Sequence, residues 1–156
     1  MLVAGVSGCS SGSGHFDRAA TEARIRAVVA KEVPGPIREV TCPDRPSLRT
    51  GSDFVCTLDS GGVTGPVRVR VDVGEGRALT VALMDAVVDL GRVAAEVRRN
   101  LEYEHGRDFR ADCGRGVRSV RPGSRIDCTV ADGDQRVDAD VTVTDAAGTL
   151  SVDVRR

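Results

Sequence analysis

Aromatic side chains are scarce in this sequence. Of its 156 residues, three are Phe, one is Tyr and none is Trp. The apolar residues are mostly Val, Ala and Leu, so we expect a core of small, often β-branched side chains, a composition that favours sheet. Long apolar runs are also missing, because charges interrupt each of them before the roughly 20 residues that a membrane-spanning helix requires.

An excess of charge of one sign is absent too. The 22 basic and 23 acidic residues give a formal net charge of −1, and both signs are intermixed along the chain. Proteins that bind nucleic acid usually present a basic surface. We therefore expect no nucleic-acid partner.

The sequence also lacks closely spaced pairs of cysteine or histidine. The sequence contains no Cys-x-x-Cys, and its two histidines, His15 and His105, stand far apart. A zinc site needs close-set ligand pairs, and a redox site needs paired thiols beside a helix N-terminus. The sequence therefore predicts no metal and no cofactor.

Four of the five cysteines instead form two widely spaced pairs. Cys42 and Cys56 enclose 13 residues, and Cys113 and Cys128 enclose 14. We predict one disulfide within each pair, since closing a loop of about 15 residues contributes roughly 3 kcal/mol in the chain-entropy model. Pairing between the two segments is the alternative that the spacing leaves open.

The fifth cysteine, Cys9, has a different context. It follows Val6-Ser7-Gly8 and precedes a Ser/Gly linker at residues 10–14. This pattern resembles the lipobox of bacterial lipoproteins, in which the thiol receives a diacylglyceryl group. Because the preceding apolar segment is too short for a secretory core and lacks a positive start, we interpret it as a truncated signal remnant. The alternative is a flexible N-terminus with a free or buried thiol.

Landmarks recur along the chain at a nearly constant offset. The distance is 71 residues from Cys42 to Cys113, and 72 from Cys56 to Cys128, from Gly51 to Gly123 and from Ile25 to Val97. Such repetition indicates two copies of one supersecondary unit. We predict an α+β fold with two tandem units, each one helix followed by a roughly four-stranded antiparallel sheet. The predicted segments are a lipobox and tether at 1–15, a first repeat at 16–84 and a second at 85–156.

Hydrophobic periodicity places the elements within each unit. The first helix is expected from its N-cap Asp17 to about Glu32, and the second from Asp89 to His105-Gly106. The alternation of Val and charged residues at 67–73 is typical of a strand with one buried and one wet face. The predicted strands are 37–42, 52–59, 67–73, 79–84, 109–113, 126–131, 137–144 and 149–154.

This order of helix, Cys-Pro strand, Gly-containing loop, Phe-x-Cys strand and Val-rich strand resembles the family called domain of unknown function 4333. The matching residues in the first unit are Val40, Cys42, Pro43, Gly51, Phe54, Cys56 and 69–73. In the second unit Gly114 replaces the proline and Ile126 the aromatic residue, and the loop is one residue longer. The resemblance implies an envelope lipoprotein of high-GC Gram-positive bacteria, and it implies no catalytic residues.

Basic residues concentrate in one segment of the second unit: Arg110, Arg115, Arg118, Arg121 and Arg125. The intervening Gly and Pro predict a solvated loop. The functional hypothesis is that this loop meets anionic lipid headgroups or cell-wall polymer near the membrane.

The sequence offers two groups of residues that could act in catalysis, and neither is in a context that favours it. Ser10, Ser11 and Ser13 lie near His15 in the linker, which holds no fixed geometry. Asp138 and Asp140 stand on the predicted wet face of one strand, where acidic pairs are usually solvated. We therefore expect that the protein is not an enzyme.

The third strands of the two units differ in charge. Arg68 and Arg70 are expected on the wet face of the first, and the 72-residue offset matches them to Asp140 and Thr142. Opposite charges would help the two sheets, or two molecules, meet in one register. A mixed, solvated surface is the alternative.

These observations lead to one functional hypothesis and one alternative. We expect a lipoprotein of the cell envelope, anchored through lipid on the outer face of the cytoplasmic membrane, where disulfides persist. It would act as a non-enzymatic binding or scaffolding module for an envelope protein or anionic polymer. The alternative is a secreted protein inhibitor of a hydrolase.

Overall fold

The computed structural model describes residues 16–154 and confirms the α+β class. The first repeat contains α1 (Arg18–Val29), β1 (Ile37–Thr41), β2 (Asp53–Ser60), β3 (Val67–Val73) and β4 (Leu79–Leu83). The second repeat contains β5 (Ala86–Asp89), α2 (Leu90–His105), β6 (Arg110–Asp112), β7 (Val117–Val120), β8 (Arg125–Asp132), β9 (Gln135–Val143) and β10 (Leu150–Val154). Every helix and strand predicted from the sequence is present.

Both helices begin at the predicted aspartates. The Asp17 carboxylate accepts a hydrogen bond from the Ala20 N–H at 2.9 Å, and Asp89 accepts two from the first turn of α2 at 2.8 and 3.1 Å. These bonds satisfy N–H groups that have no partner inside the helix. The predicted end of α1, at about Glu32, was too late in the sequence, because the helix stops at Val29.

Each repeat has a four-stranded antiparallel sheet covered on one face by its helix. The strand orders are β1-β2-β3-β4 and β6-β8-β9-β10. In β3 the alternate valines at 67, 69, 71 and 73 are buried, and Ile25 and Val29 of α1 belong to the same core. A second core joins α2 to the second sheet through Val93, Val97 and Leu101. Alternation along the strands therefore sets which face each helix covers.

The turn before the second strand of each sheet shows that the repetition is structural. The Gly51 N–H donates to the Val73 carbonyl at 2.8 Å, and the Gly123 N–H donates to the Val143 carbonyl at 2.6 Å. Both glycines have positive φ angles, 84° and 85°, a conformation that costs other residues free energy. The two units therefore share backbone geometry as well as sequence spacing.

A two-stranded ribbon, formed by β5 and β7, was not predicted. The two strands pair antiparallel, with Ala86 opposite Val120 and Val88 opposite Arg118. Ala86, Val88 and Val120 face the second core, whereas Val87 and Val117 pack against the first. The prediction of a solvated loop is therefore wrong for 117–120. This segment becomes a strand because apolar partners from both repeats meet there, which local sequence does not reveal.

The ribbon also receives backbone hydrogen bonds from the first repeat. The Thr64 N–H donates to the Val117 carbonyl at 2.8 Å, and the Ser119 N–H donates to the Thr64 carbonyl at 3.1 Å. Thr64 lies in the connection between β2 and β3, so this connection ties the first repeat to the second.

The connection between β2 and β3 is longer than its counterpart in the second repeat, and this changes the matching of residues. Eight residues separate Leu58 from its partner Val67, but only six separate Val130 from Val137. The offset therefore falls to 70 residues in the next strand. Arg70 corresponds to Asp140 and Arg68 to Asp138, which corrects the matching expected from a constant offset.

Candidate binding surfaces

Both expected disulfides are present, Cys42–Cys56 and Cys113–Cys128. Each joins the end of an edge strand to the neighbouring central strand, and all four cysteines are buried in the two cores. The Arg18 Nη2 donates to the Cys42 carbonyl at 2.7 Å, which holds the start of α1 against the first disulfide. The disulfides therefore act as structural cross-links inside the cores.

Several predicted groups lie outside the described residues. Cys9, the proposed lipidation site, is among them, together with the Ser10, Ser11, Ser13 and His15 cluster. Within residues 16–154, neither helix is long and apolar enough to cross a membrane. In the same segment, no group of three or more His, Cys, Asp and Glu side chains is arranged to hold a metal ion.

The structure does not bring the five predicted arginines into one patch. Arg110 pairs opposite Ala131 near one end of β8, whereas Arg125 begins that strand. Six residues of strand at about 3.3 Å each place them roughly 20 Å apart. The Arg125 Nη1 also lies 3.4 Å from Asp140 Oδ2. The remaining three, Arg115, Arg118 and Arg121, are exposed around the β5–β7 ribbon.

Arg68 does not lie on a wet face, contrary to the prediction. Its guanidinium binds Asp85, which directly precedes β5 and whose side chain is 3% exposed. Asp85 accepts from the Arg68 backbone N–H at 2.9 Å, from Nε at 3.0 Å and from Nη2 at 2.5 Å. The pair therefore connects β3 of the first repeat to the segment that enters the second.

The charges around Asp85 determine its protonation. Burial by itself would raise the pKa of Asp85, but hydrogen bonds from the Arg68 side chain and backbone lower it, as do the charges of Arg68 and Arg121. The net result is a pKa below the usual value of an aspartate. The same hydrogen bond raises the pKa of Arg68. Asp85 was missed by sequence reasoning, because it stands between two strands and belongs to no pattern.

The outer faces of the two sheets carry different side chains at equivalent positions. In the second sheet Asp140 is flanked by Asp127 on β8 and Asp153 on β10, which forms a row of three aspartates. In the first sheet the corresponding row is Val55, Arg70 and Ala82. Asp140 is buried beside Arg125, so the prediction that it stands on a fully wet face is wrong, whereas Asp138 is exposed.

A groove lies in the first repeat where α1 and β4 both begin, and we call it the first groove. Its volume is about 400 Å³. The half-buried side chains of Phe16, Leu48 and Leu79 line it together with Ala20 and Ala78. Phe16 packs edge-to-face against Phe54 in the core, with ring centroids 5.7 Å apart. The aromatic wall of the groove is therefore held in place by the core.

Three charged residues also line the first groove: Asp17, Arg24 and Arg77. The Asp17 carboxylate is engaged as the N-cap of α1. Within residues 16–154, neither Arg24 nor Arg77 has an acidic partner close enough for an ion pair. The groove therefore combines an apolar lining with two uncompensated guanidinium groups.

Arg77 has an unusual backbone conformation. Its φ angle is 62°, and it follows Gly76, which also has a φ of 62°. Among the described residues it is the one non-glycine at positive φ, a conformation that is uncommon and tends to occur at functional sites. This turn brings Arg77 to the start of β4, at the groove.

The second repeat has a groove at the equivalent place, where α2 and β10 begin, and we call it the second groove. Its volume is about 480 Å³. The 72-residue offset places Arg92 at the position of Ala20 and Glu96 at the position of Arg24. Arg99 also lines it and forms an ion pair with Glu96. The second groove is therefore more polar, and its basic and acidic side chains balance.

The fold and these surfaces define a two-repeat, disulfide-linked α+β protein whose repeats share a scaffold and differ in their outer side chains. Comparison with known families agrees with this class. The model of DUF4333, a domain of unknown function, matches residues 4–76 and again residues 73–148. The chain therefore belongs to the DUF4333 family, as a tandem pair of its domains. No curated protein and no solved structure matches it significantly.

Proposed function

We propose that this protein is a lipid-anchored lipoprotein of the cell envelope that acts as a non-enzymatic binding or scaffolding module. The observation that carries the proposal is that the two repeats share their backbone geometry but differ in the side chains on their surfaces. Caps, disulfides and turns recur, while the grooves and outer sheet faces carry different charges. Such a scaffold presents two distinct surfaces to partners.

The anchor rests on the sequence around Cys9. A small-residue tripeptide before Cys9 and a Ser/Gly segment after it fit a diacylglyceryl-modified cysteine followed by a tether. Two acyl chains supply stable attachment, because each buried CH₂ contributes about 0.8 kcal/mol. The two disulfides support a location on the outer face of the cytoplasmic membrane, since disulfides persist in oxidising compartments.

Mass spectrometry of the protein from the membrane fraction tests the anchor. In a high-GC Gram-positive host, we expect Cys9 to carry the diacylglyceryl group and to form the mature N-terminus. A Cys9→Ser variant should appear in the medium. An unmodified Cys9 with the preceding peptide intact would contradict the proposal, and abundant release of wild type in complex with a hydrolase would favour the secreted inhibitor instead.

The proposed partners are an envelope protein or an anionic polymer. Arg115, Arg118 and Arg121 support the second, because they are exposed around the ribbon that both repeats share. Co-sedimentation with a purified anionic cell-wall polymer should decrease when these three are changed to alanine. Changing Arg98 and Arg99 to alanine is the control, because these two arginines already pair with glutamates on α2, and it should have little effect.

A further inference from the structure

We propose that the first groove binds a single-chain anionic amphiphile, with its alkyl chain along the apolar lining and its anionic headgroup between Arg24 and Arg77. This inference deepens the proposed binding role by naming a ligand class, and it does not depend on the lipid anchor.

The lining fits an alkyl chain. Phe16, Leu48 and Leu79 provide aromatic and aliphatic surface in a groove of about 400 Å³, within the range of roughly 300–1,000 Å³ found for small-molecule sites. Because Phe16 is fixed against Phe54, much of this surface is formed before a ligand arrives. Burying a chain there removes apolar area from water, which is favourable.

The charges select the sign of the headgroup. Two arginines and one aspartate line the groove, and the aspartate carboxylate already accepts a hydrogen bond as the cap of α1. An anionic headgroup would give both arginines a partner through charge-assisted hydrogen bonds, which arginine forms well with carboxylate and phosphate. A cationic headgroup would meet repulsion from the same two groups.

The backbone at Arg77 supports the same assignment. Glycine would adopt a φ of 62° without strain, yet this position carries arginine. A residue that is unfavourable for the local backbone indicates that its side chain has another role. Contact with a headgroup at the groove is a role that the position allows.

The second groove lacks the two features that favour an anionic amphiphile in the first groove, namely a continuous apolar lining and two uncompensated guanidinium groups. Glu96 stands at the position of Arg24 and pairs with Arg99, and Arg92 replaces Ala20. The scaffold is the same, but the apolar lining is interrupted and the positive charge is compensated. We therefore expect the first groove alone of the two to bind the amphiphile.

Isothermal titration of the full chain with dodecanoate, below its micelle concentration, tests the assignment. We expect saturable binding to one site, at least ten-fold tighter than binding of dodecyltrimethylammonium, which has an alkyl chain of the same length and the opposite charge. Dodecyl phosphate, titrated in parallel, identifies whether the headgroup source is a carboxylate or a phosphate. Equal affinity for the cation, or no binding of either anion, would overturn the proposal.

Variants locate the site. Arg24→Glu introduces the residue of the second groove and should weaken binding at least ten-fold. Arg77→Gly should also weaken it at least ten-fold, while its thermal midpoint stays equal to or above that of wild type, because glycine relieves the positive φ. Arg92→Gln in the second groove is the control and should bind as wild type. Unchanged binding in Arg24→Glu and Arg77→Gly would place the ligand elsewhere and refute the assignment.

Failure of this proposal is distinguishable from failure of the proposed function. Loss of dodecanoate binding would remove the groove assignment and leave the modification of Cys9 unaffected. An unmodified Cys9 would remove the anchor and leave a measured affinity intact. Association with anionic vesicles that survives both groove variants, with no affinity for free dodecanoate, would indicate a membrane-surface contact and contradict the groove assignment.

Discussion

The first groove and the second groove occupy the same place in two copies of one fold, but they offer different chemistry. Aspartate caps the helix beside each groove, and a leucine begins the last strand beside each. The arginine at 24 in the first becomes a glutamate at 96 in the second. Positions that set the backbone have been retained, whereas positions that face solvent in the groove have diverged.

The repeats also differ in how they are connected. The first contributes Arg68 and Thr64, and the second contributes Asp85 and the β5–β7 ribbon. The 70-residue equivalent of Arg68 is Asp138, which is exposed and forms no ion pair within residues 16–154. The junction therefore depends on residues specific to each copy.

Breaking this junction should destabilise the protein about as much as removing a disulfide does, and these are the two largest effects expected. Asp85→Ala should lower the free energy of unfolding by about 3 kcal/mol, because it leaves the Arg68 guanidinium and backbone N–H without their buried partner. Urea denaturation measures the loss. Arg70→Ala is the control on the same strand. It removes only the exposed pair with Asp72 and should cost less than about 1 kcal/mol. Equal losses would show that the Asp85 pair is no more important than a surface contact.

Removing the disulfides compares the two repeats directly. The Cys42→Ala/Cys56→Ala and Cys113→Ala/Cys128→Ala variants should each lose about 3 kcal/mol, since the closed loops have nearly equal length and the effect acts mainly on the unfolded chain. Their sequence separations are 14 and 15. Chemical denaturation of both variants measures this. A difference well above 1 kcal/mol would mean that β7, which lies within the Cys113–Cys128 loop and has no equivalent in the other loop, changes the contribution of its disulfide.

Acid should weaken the junction as the Asp85 carboxylate becomes protonated. The pKa of Asp85 is lower in the folded protein than its ordinary value, about 3.9 in an unfolded chain. Its contribution to stability is therefore complete above that value and is lost as pH falls through the lower folded pKa. Urea titrations from pH 7 to pH 2 should show a smaller decline for Asp85→Asn than for wild type. If the free energy of unfolding declined equally with pH in both proteins, protonation of Asp85 would not be a cause of the decline.

The smallest effect concerns the outer rows of the sheets. Asp153→Asn removes one of two carboxylates that flank Asp140, and relief of repulsion between like charges directly opposite each other should stabilise by about 0.2–1 kcal/mol. The gain should shrink in about 1 M salt, where the screening length is roughly 3 Å. A gain that is independent of salt would point to a cause other than charge.

Local sequence patterns predicted most of the fold for identifiable reasons. The alternation at 67–73 specifies a strand with one buried face, and Asp17 and Asp89 specify helix starts through hydrogen bonds made within the first turn. The cysteine pairs are close in the chain, so their partners are set by neighbouring strands. Each of these features depends on residues within about 15 positions of each other.

The grooves, by contrast, were not predicted. The 72-residue offset already aligned Arg24 with Glu96 and would have pointed to a difference between the helices. It could not reveal that Arg24, Leu48 and Arg77 line one groove, because they lie on three separate segments of the first repeat. The five arginines were mispredicted in the opposite way. They are close in sequence, which suggested a single basic patch, but the strands that carry them place them apart.

The sequence by itself determined the repeat, the α+β class, the helix starts and the cysteine pairs, because periodicity, capping and short loop closure act over short distances along the chain. The tertiary structure alone decided that β5 and β7 form a ribbon between two cores, that Asp85 becomes the buried partner of Arg68, and which side chains share each groove. These depend on packing between segments far apart in sequence, where burial and charge pairing are set by the neighbours that the fold supplies.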